Sequence, residues 1–442
     1  MRYFLAIIGG GPAGYTAAEK ASKAGKDVVL FEQESLGGTC LNVGCIPTKT
    51  LLYSAKQYYN AVHADKYGVK AEATFDYGKM VMRKQKVVRK LVAGIKQKLN
   101  NEHCTLVNGA AKVLSRTDEL VRVECAGVEY EAENLMICTG STTFVPPIPG
   151  IKDNPAVWTS TEALEAKELP KSIIIVGGGV IGMEFATLYH ELGVEVTVIE
   201  ALLRILPNID EEVVAKISEK YAKDGVRILT STVVEEVDGG RLKANGEWYE
   251  AEKILVCVGR RARLEGLEAL EDLEFDRGIK VDDFMRTNLV NVYAAGDVTN
   301  KIMLAHVASR QAEVAVGRML KQIPLQRIAY NAIPSVVYTN PEIAGVGITE
   351  DQMDCEVHRL PMTYSGRFVA ENEGETGLCK VLIDKKSRSI MGVHMIGNPC
   401  SEFVAAASFA VRMGYTVGEF EQVVFPHPTV SEIVRECMTE SI

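Results

Sequence analysis

The feature that most constrains this chain is a strand–turn–helix start used twice. Ile7-Ile8-Gly9-Gly10-Gly11-Pro12-Ala13-Gly14 reappears as Ile175-Val176-Gly177-Gly178-Gly179-Val180-Ile181-Gly182. Each copy runs on into a helical stretch, a glycine (Gly25, Gly193) and a second apolar strand that ends in an acid, Glu32 or Glu200. The acid stands 23 positions after the first glycine in both copies (32 − 9 and 200 − 177). Glycines at this spacing let a backbone turn tightly and approach a pyrophosphate seated on the following helix N-terminus, while the acid accepts hydrogen bonds from a ribose diol. One such motif is weak evidence. Two in matching context predict two dinucleotide sites.

A chain of 442 residues exceeds a single core and is expected to form about three domains. The Pro-rich segment 144–150 reads as a boundary. The expected division is 1–144 for the first dinucleotide domain, 145–270 for the second, 271–330 for a return to the first, and 331–442 for a domain without a nucleotide signature. The fold class is therefore α/β, with two Rossmann-like domains and a C-terminal α+β domain. A formal charge of −9 argues against nucleic acid or an anionic membrane as the main partner. No apolar run reaches the roughly 18 residues of a bilayer span. Phe4 to Ile8 runs straight into glycines and reads as a buried strand, so a cytoplasmic location is expected. Met80 to Leu99 reads as a basic, solvated amphipathic helix. No metal site is expected.

Ten cysteines are present, and eight are scattered, several of them within apolar runs, as small core residues are. Cys40 and Cys45 differ. They lie in Gly37-Gly38-Thr39-Cys40-Leu41-Asn42-Val43-Gly44-Cys45-Ile46-Pro47-Thr48-Lys49, a Gly-rich turn that opens a helix. A pair five apart can close a small disulfide ring, and Pro47 suits a first helical turn. At a helix N-terminus the dipole and unpaired amides would stabilise a Cys45 thiolate. A purely structural disulfide is the alternative, and it is out of place in a cytosolic chain.

This segment resembles the active-site motif of the flavin-dependent pyridine nucleotide–disulfide oxidoreductases. The likeness extends over essentially the whole chain: both glycine motifs, the segment Thr287 to Asp297, Ile333 to Glu342, and His427-Pro428-Thr429-Val430-Ser431-Glu432. Within that group, Ile46-Pro47-Thr48-Lys49 is most similar to the dihydrolipoamide dehydrogenases. The resemblance implies FAD on Gly9, Gly11, Gly14 and Glu32, with Gly38, Thr39 and Asp297 on the same cofactor. It implies NAD on Gly177, Gly179, Gly182 and Glu200, with Gly259 as a further cofactor-binding position. The domain of 1–144 and 271–330 would then be the FAD domain, 145–270 the NAD domain, and 331–442 the dimerisation domain. Cys45 would lie against the flavin and Cys40 would exchange with substrate. Lys49 would sit by the flavin N5, paired with Glu184. His427, oriented by Glu432, would be the acid–base and complete the site of the partner in a homodimer. The carboxylate of Glu200 repels a 2′-phosphate, so NAD is favoured over NADP.

The expected reaction is NAD-linked oxidation of dihydrolipoamide on a lipoylated carrier protein of a 2-oxo acid dehydrogenase complex or the glycine cleavage system. Two readings compete. One is a reductase of another disulfide or of a metal ion; the other is a flavin-bearing complex subunit with little turnover of its own. Phe425 stands where the resembled family commonly has a histidine, which alters the surroundings of His427.

Overall fold

The computed structural model describes residues 2–324 and 327–439. The expected ranges 1–144, 271–330 and 331–442 thus include a few residues outside the described ones. The chain separates into two compact units: 1–50, 78–144 and 259–328 in one, 51–77, 145–258 and 329–442 in the other.

The first unit is built on a sheet of β1 (Arg2–Ile8), β2 (Val28–Glu32), β3 (Cys104–Asn108), β4 (Ala111–Arg116), β5 (Val121–Cys125) and β6 (Val128–Ile137) in the order β3-β2-β1-β6-β5-β4. β1 pairs in parallel with β2 and β6, as does β2 with β3, and the short strand Val292–Ala294 returns to pair in parallel with β6. Parallel strands buried on both faces need continuous apolar runs. β1 and β2 supply them: Leu5, Ala6, Ile7, Val28, Val29 and Leu30 are all wholly buried. Helix α1 (Pro12–Lys23) packs through Ala13, Ala17, Ala18 and Ala21. These small residues bring it close to the helix Ala305–Met319, where Thr16 Oγ1 meets Ser309 Oγ at 3.2 Å.

The second unit repeats the plan. Its parallel sheet runs in the order 227–229, 195–199, 172–176, 253–256, 157–158, and its own antiparallel meander spans 234–250. In both copies the strand before the glycine turn lies between the strand that leads to the acid and a return strand. The same unit holds a five-stranded antiparallel sheet in the order 335–337, 343–347, 390–396, 378–383, 356–361. The helices Cys400–Met413 and Glu432–Thr439 pack on it through Val404, Ala407, Ile433 and Val434. Two Rossmann-like modules and a C-terminal α+β part are therefore present, as the sequence implies. Among the described residues no helix is long and apolar enough to cross a membrane.

Candidate active site

The two glycine turns are superposable in kind down to their hydrogen bonds. Gly9 and Gly177 have φ of +104° and +105°, the left-handed region open to glycine. A Cβ at Gly14 would stand 1.8 Å from Gly9 O, and one at Gly182 2.0 Å from Gly177 O, so both helices start in contact with the preceding strand. Glu32 accepts the Gly10 amide at 2.7 Å and the Glu34 amide at 2.7 Å. Glu200 accepts the Gly178 amide at 2.7 Å and the Leu202 amide at 2.8 Å. Each acid thus braces its own turn. Each oxygen keeps further lone-pair capacity for a hydroxyl donor.

Gly11 and Gly179 test whether a dinucleotide fits. Their φ values, −70° and −73°, suit any residue. A Cβ at Gly11 would meet only Gly38 Cα, at 3.8 Å, and a Cβ at Gly179 would meet nothing within 4 Å. Neither conformation nor protein packing requires glycine here. The space in front of two helix N-termini without side-chain caps is kept clear, which is what a phosphate seated on backbone amides needs. The residues fit a dinucleotide in both places.

Glycine also builds the cysteine turn. Gly38 (φ +57°) opens α2 (Gly38–Asn42) against Gly11, where a Cβ would come to 2.7 Å of Gly11 Cα. Thr39 is the next residue of α2, and Cys40 follows. At Gly44 a Cβ would lie 2.9 Å from Thr39 O and 3.4 Å from Cys40 Cα, so only glycine lets the chain fold back closely enough to bring the cysteines together. Asn42 pins the turn by donating to Leu36 O at 3.1 Å and Gly38 O at 3.0 Å. Cys45 opens α3 (Cys45–Val62). Both sulfurs are half-buried thiols, and their side chains are hydrogen-bonded to each other. That bond, with burial, raises Cys40 far above the usual thiol range, while the nearby Lys49 ammonium opposes the shift. Lys49 lies one turn beyond Cys45, on the same side of α3.

Asp297 opens a single 3₁₀ turn, Asp297–Thr299, after Gly296, whose amide is held by the buried Gln311 carboxamide at 2.7 Å. The Asp297 carboxylate accepts Ser141 Oγ at 2.6 Å. Arg260, beside Gly259 (φ +123°), donates to Ser141 Oγ at 2.7 Å and Ser141 O at 2.8 Å and reaches Thr39 Oγ1 at 3.5 Å. Burial lowers the Arg260 guanidinium from its ordinary value, and the negative charge of Asp297 works against that shift. This link from the cysteine turn to Asp297 is absent from the sequence reading. Its only local signal is an arginine directly after a glycine.

In the second unit Glu184 is buried on the helix Val180–Glu191 and accepts the Tyr338 amide at 3.2 Å. His427 is 81 % exposed, and its Nδ1 lies 3.0 Å from Glu432 Oε1. Glu432 is held below the usual carboxylate range, first by the Thr429 amide (2.8 Å) and then by His427. Being ionised, it takes Nδ1–H and leaves Nε2 as the acceptor facing solvent. Phe425 stacks at a tilt on Phe420, with 5.7 Å between centroids, and packs against the C-terminal core.

Residues 3–312 match the family described as pyridine nucleotide-disulphide oxidoreductase, and residues 333–438 match its dimerisation domain. Among curated relatives, the dihydrolipoyl dehydrogenase of Mycoplasma genitalium is 36% identical, covering 100% of this chain and 99% of its own length. That of Bacillus subtilis is 36% identical over 99% and 98%. Among solved structures, LpdA from Mycobacterium tuberculosis superposes with a TM-score of 0.92 at 25% identity, covering 99% of each chain. The HOCl-induced flavoprotein disulfide reductase RclA from Escherichia coli superposes at 0.87 with 27% identity, also covering 99% of each.

Proposed function

The chain belongs to the pyridine nucleotide-disulphide oxidoreductase family, and from that premise we propose that it is an NAD-dependent enzyme oxidising dihydrolipoamide on a lipoylated carrier protein. The observation that carries the reading is the hydrogen-bonded Cys40–Cys45 pair at the start of α3. Full-length similarity to dihydrolipoyl dehydrogenases supports the substrate.

Residues Gly9, Gly11, Gly14 and Glu32, with Gly38, Thr39 and Asp297, hold FAD in this reading; Gly177, Gly179, Gly182 and Glu200, with Gly259, serve the pyridine nucleotide. When bound, the flavin supplies two-electron transfer between a dithiol and NAD. The protein side of the reaction is thiol–disulfide exchange. In the oxidised pair, a substrate thiolate attacks Cys40 Sγ, and the Cys40–Cys45 bond breaks with the electron pair left on Cys45. The second substrate thiolate attacks the mixed disulfide, closing the lipoyl ring and releasing Cys40 as a thiolate. Each attack needs a proton removed. His427 Nε2 takes the first, with Glu432 holding Nδ1–H and stabilising the imidazolium, and gives it up to solvent before accepting the second. Cys45 at the helix N-terminus is placed to carry negative charge, with Lys49 a turn away. In the family's dimer, His427 serves the partner's cysteine pair. A cytoplasmic location belongs to the same reading.

The test is turnover of free dihydrolipoamide with NAD, read as NADH formation, with NADP and glutathione as controls. Rapid NAD-specific turnover is expected. A flavin reduced by NADH that lipoamide fails to reoxidise would reject the substrate and favour another disulfide.

A further inference from the structure

Helix α4 (Tyr77–Leu99) holds eight Lys or Arg residues and no acid. The whole chain carries −9, so removing the eight positive charges of α4 leaves −17 on the other residues. Positive charge is therefore concentrated on one element of an otherwise strongly acidic molecule. At 3.6 residues per turn, Lys79, Arg83, Lys86, Arg89, Lys90 and Lys96 fall on one face, and all six are exposed. Met82, 59% exposed, lies among them, while Val81, Lys84 and Leu99 are buried on the opposite side. Among the described residues, Lys86, Arg89, Lys90 and Lys96 have no ion-pair partner. Placing like charges side by side on a helix costs stability, so these four charges have no folding rationale. At 1.5 Å per residue it runs about 26 Å, close to the width of a small domain.

Its position is informative. Arg83 Nη1 donates to Thr50 O at 3.0 Å, and Thr50 lies on α3 five residues beyond Cys45. The stripe therefore starts beside the first turns of the helix that opens with the redox cysteine. We infer that the exposed face of α4 docks an acidic face of the carrier protein that presents the dithiol, an inference that rests on the proposed function. A compact acidic domain of this width can contact α4 alone. An extended polyanion would also run against the remaining −17. Complementary charge of this kind accelerates encounter and loses its effect as salt screens it.

The experiment compares the wild-type holoenzyme with Lys86→Glu/Arg89→Glu/Lys90→Glu, three exposed positions outside the catalytic machinery. The probes are free dihydrolipoamide and a reduced, lipoylated carrier domain of net negative charge, each at low and physiological ionic strength. Binding of the oxidised carrier domain is titrated alongside. With free dihydrolipoamide, kcat/KM should be equal in the two proteins. With the carrier domain, it should fall about tenfold or more in the variant and lose its salt dependence, with carrier binding weakened in step. Equal carrier turnover and equal carrier binding in the two proteins would overturn the inference. So would variant-sensitive binding of anionic vesicles or duplex DNA with carrier turnover unchanged. Failure of the wild type on free dihydrolipoamide would reject the proposed function instead, and the carrier titration would still decide the surface.

Discussion

The Nδ1 atom of His427 lies 3.0 Å from Glu432 Oε1, and the other oxygen of Glu432 is anchored by the Thr429 amide at 2.8 Å. The histidine is thus fixed by a carboxylate that is itself fixed by backbone. Because the folded Glu432 titrates below the ordinary carboxylate range, its ionised form persists throughout the neutral range and is lost only as pH falls through that lowered value. His427→Gln should lower kcat/KM for dihydrolipoamide on the order of 10²–10⁴-fold. Glu432→Ala should cost less, because it removes orientation and leaves the base. Steady-state kinetics on both variants checks the order, and equal losses would mean that Glu432 does more than position the ring.

Cys40 and Cys45 differ in where they stand: Cys40 in the middle of α2, Cys45 at the first position of α3. Cys40→Ser should abolish dihydrolipoamide turnover and leave reduction of the bound flavin by NADH intact. Stopped-flow reduction by each substrate separates the two half-reactions. Full lipoamide activity in that variant would remove Cys40 from the exchange.

Both glycine motifs, their acids and the cysteine turn were legible because each is a local pattern whose chemistry depends on spacing. The second task of Glu32 and Glu200 was not. Sequence suggests a ribose-binding acid, and the structure shows each carboxylate also capping the turn it serves. Arg260 was hidden for a different reason. Its contact with Ser141 depends on antiparallel pairing of 260–262 with 141–143, residues about 120 apart in sequence, and no local periodicity encodes that. Phe425 marks a departure visible in sequence whose meaning is structural. The partly buried ring packs against the C-terminal core beside Phe420, so a polar side chain there would lose that apolar contact.

Arg260 bridges Ser141, Thr39 and, through Ser141, Asp297. Removing it takes two donors from the buried Ser141, whose Oγ still donates to Asp297, and loosens the serine that holds that carboxylate. Arg260→Met should weaken FAD retention about tenfold or more, since hydrogen bonds to a charged group are worth about 1.5–3 kcal/mol each. Arg260→Lys should fail to restore it, because an ammonium lacks the planar fork that reaches both Ser141 atoms. Flavin released on dilution, followed by its fluorescence, is the readout, and unchanged retention would confine Arg260 to a structural role.

Glu200 is buried and satisfies the Gly178 and Leu202 amides. Glu200→Ala should therefore destabilise the second unit by about 1–3 kcal/mol through the orphaned amides. Glu200→Arg should carry the same penalty and also shift preference toward NADP. The two effects are separable when Tm is measured beside the ratio of kcat/KM for NADP and NAD. A lower Tm with unaltered selectivity would leave Glu200 as a brace alone.

Acid should find the second unit's weak point at Lys380. This wholly buried ammonium lies 2.9 Å from Asp210, 3.1 Å from Glu212 and 2.6 Å from Glu350, and Asp210 also caps the helix Glu211–Lys223. Burial alone would lower Lys380, but hydrogen bonds to Glu350 and Asp210 outweigh it and raise the group above its ordinary value. Arg359, bound to Glu212 through Nε and Nη2, is the main reason Glu212 is held down to about 2. A carboxylate depressed in the folded state contributes stability that is present above its ordinary pKa of 4.5 and is lost as pH falls toward about 2. The contribution is discounted for the solvent that reaches Glu212, and salt should shrink it further. Lys380→Met should cost about 3–5 kcal/mol at neutral pH by leaving Asp210 buried without its cation. Because Glu212 and Glu350 lose a partner as well, the variant's stability should depend less steeply on pH between 4.5 and about 2. Denaturant unfolding of both proteins across that window measures the two slopes; parallel slopes would show that Arg359 alone holds Glu212 down.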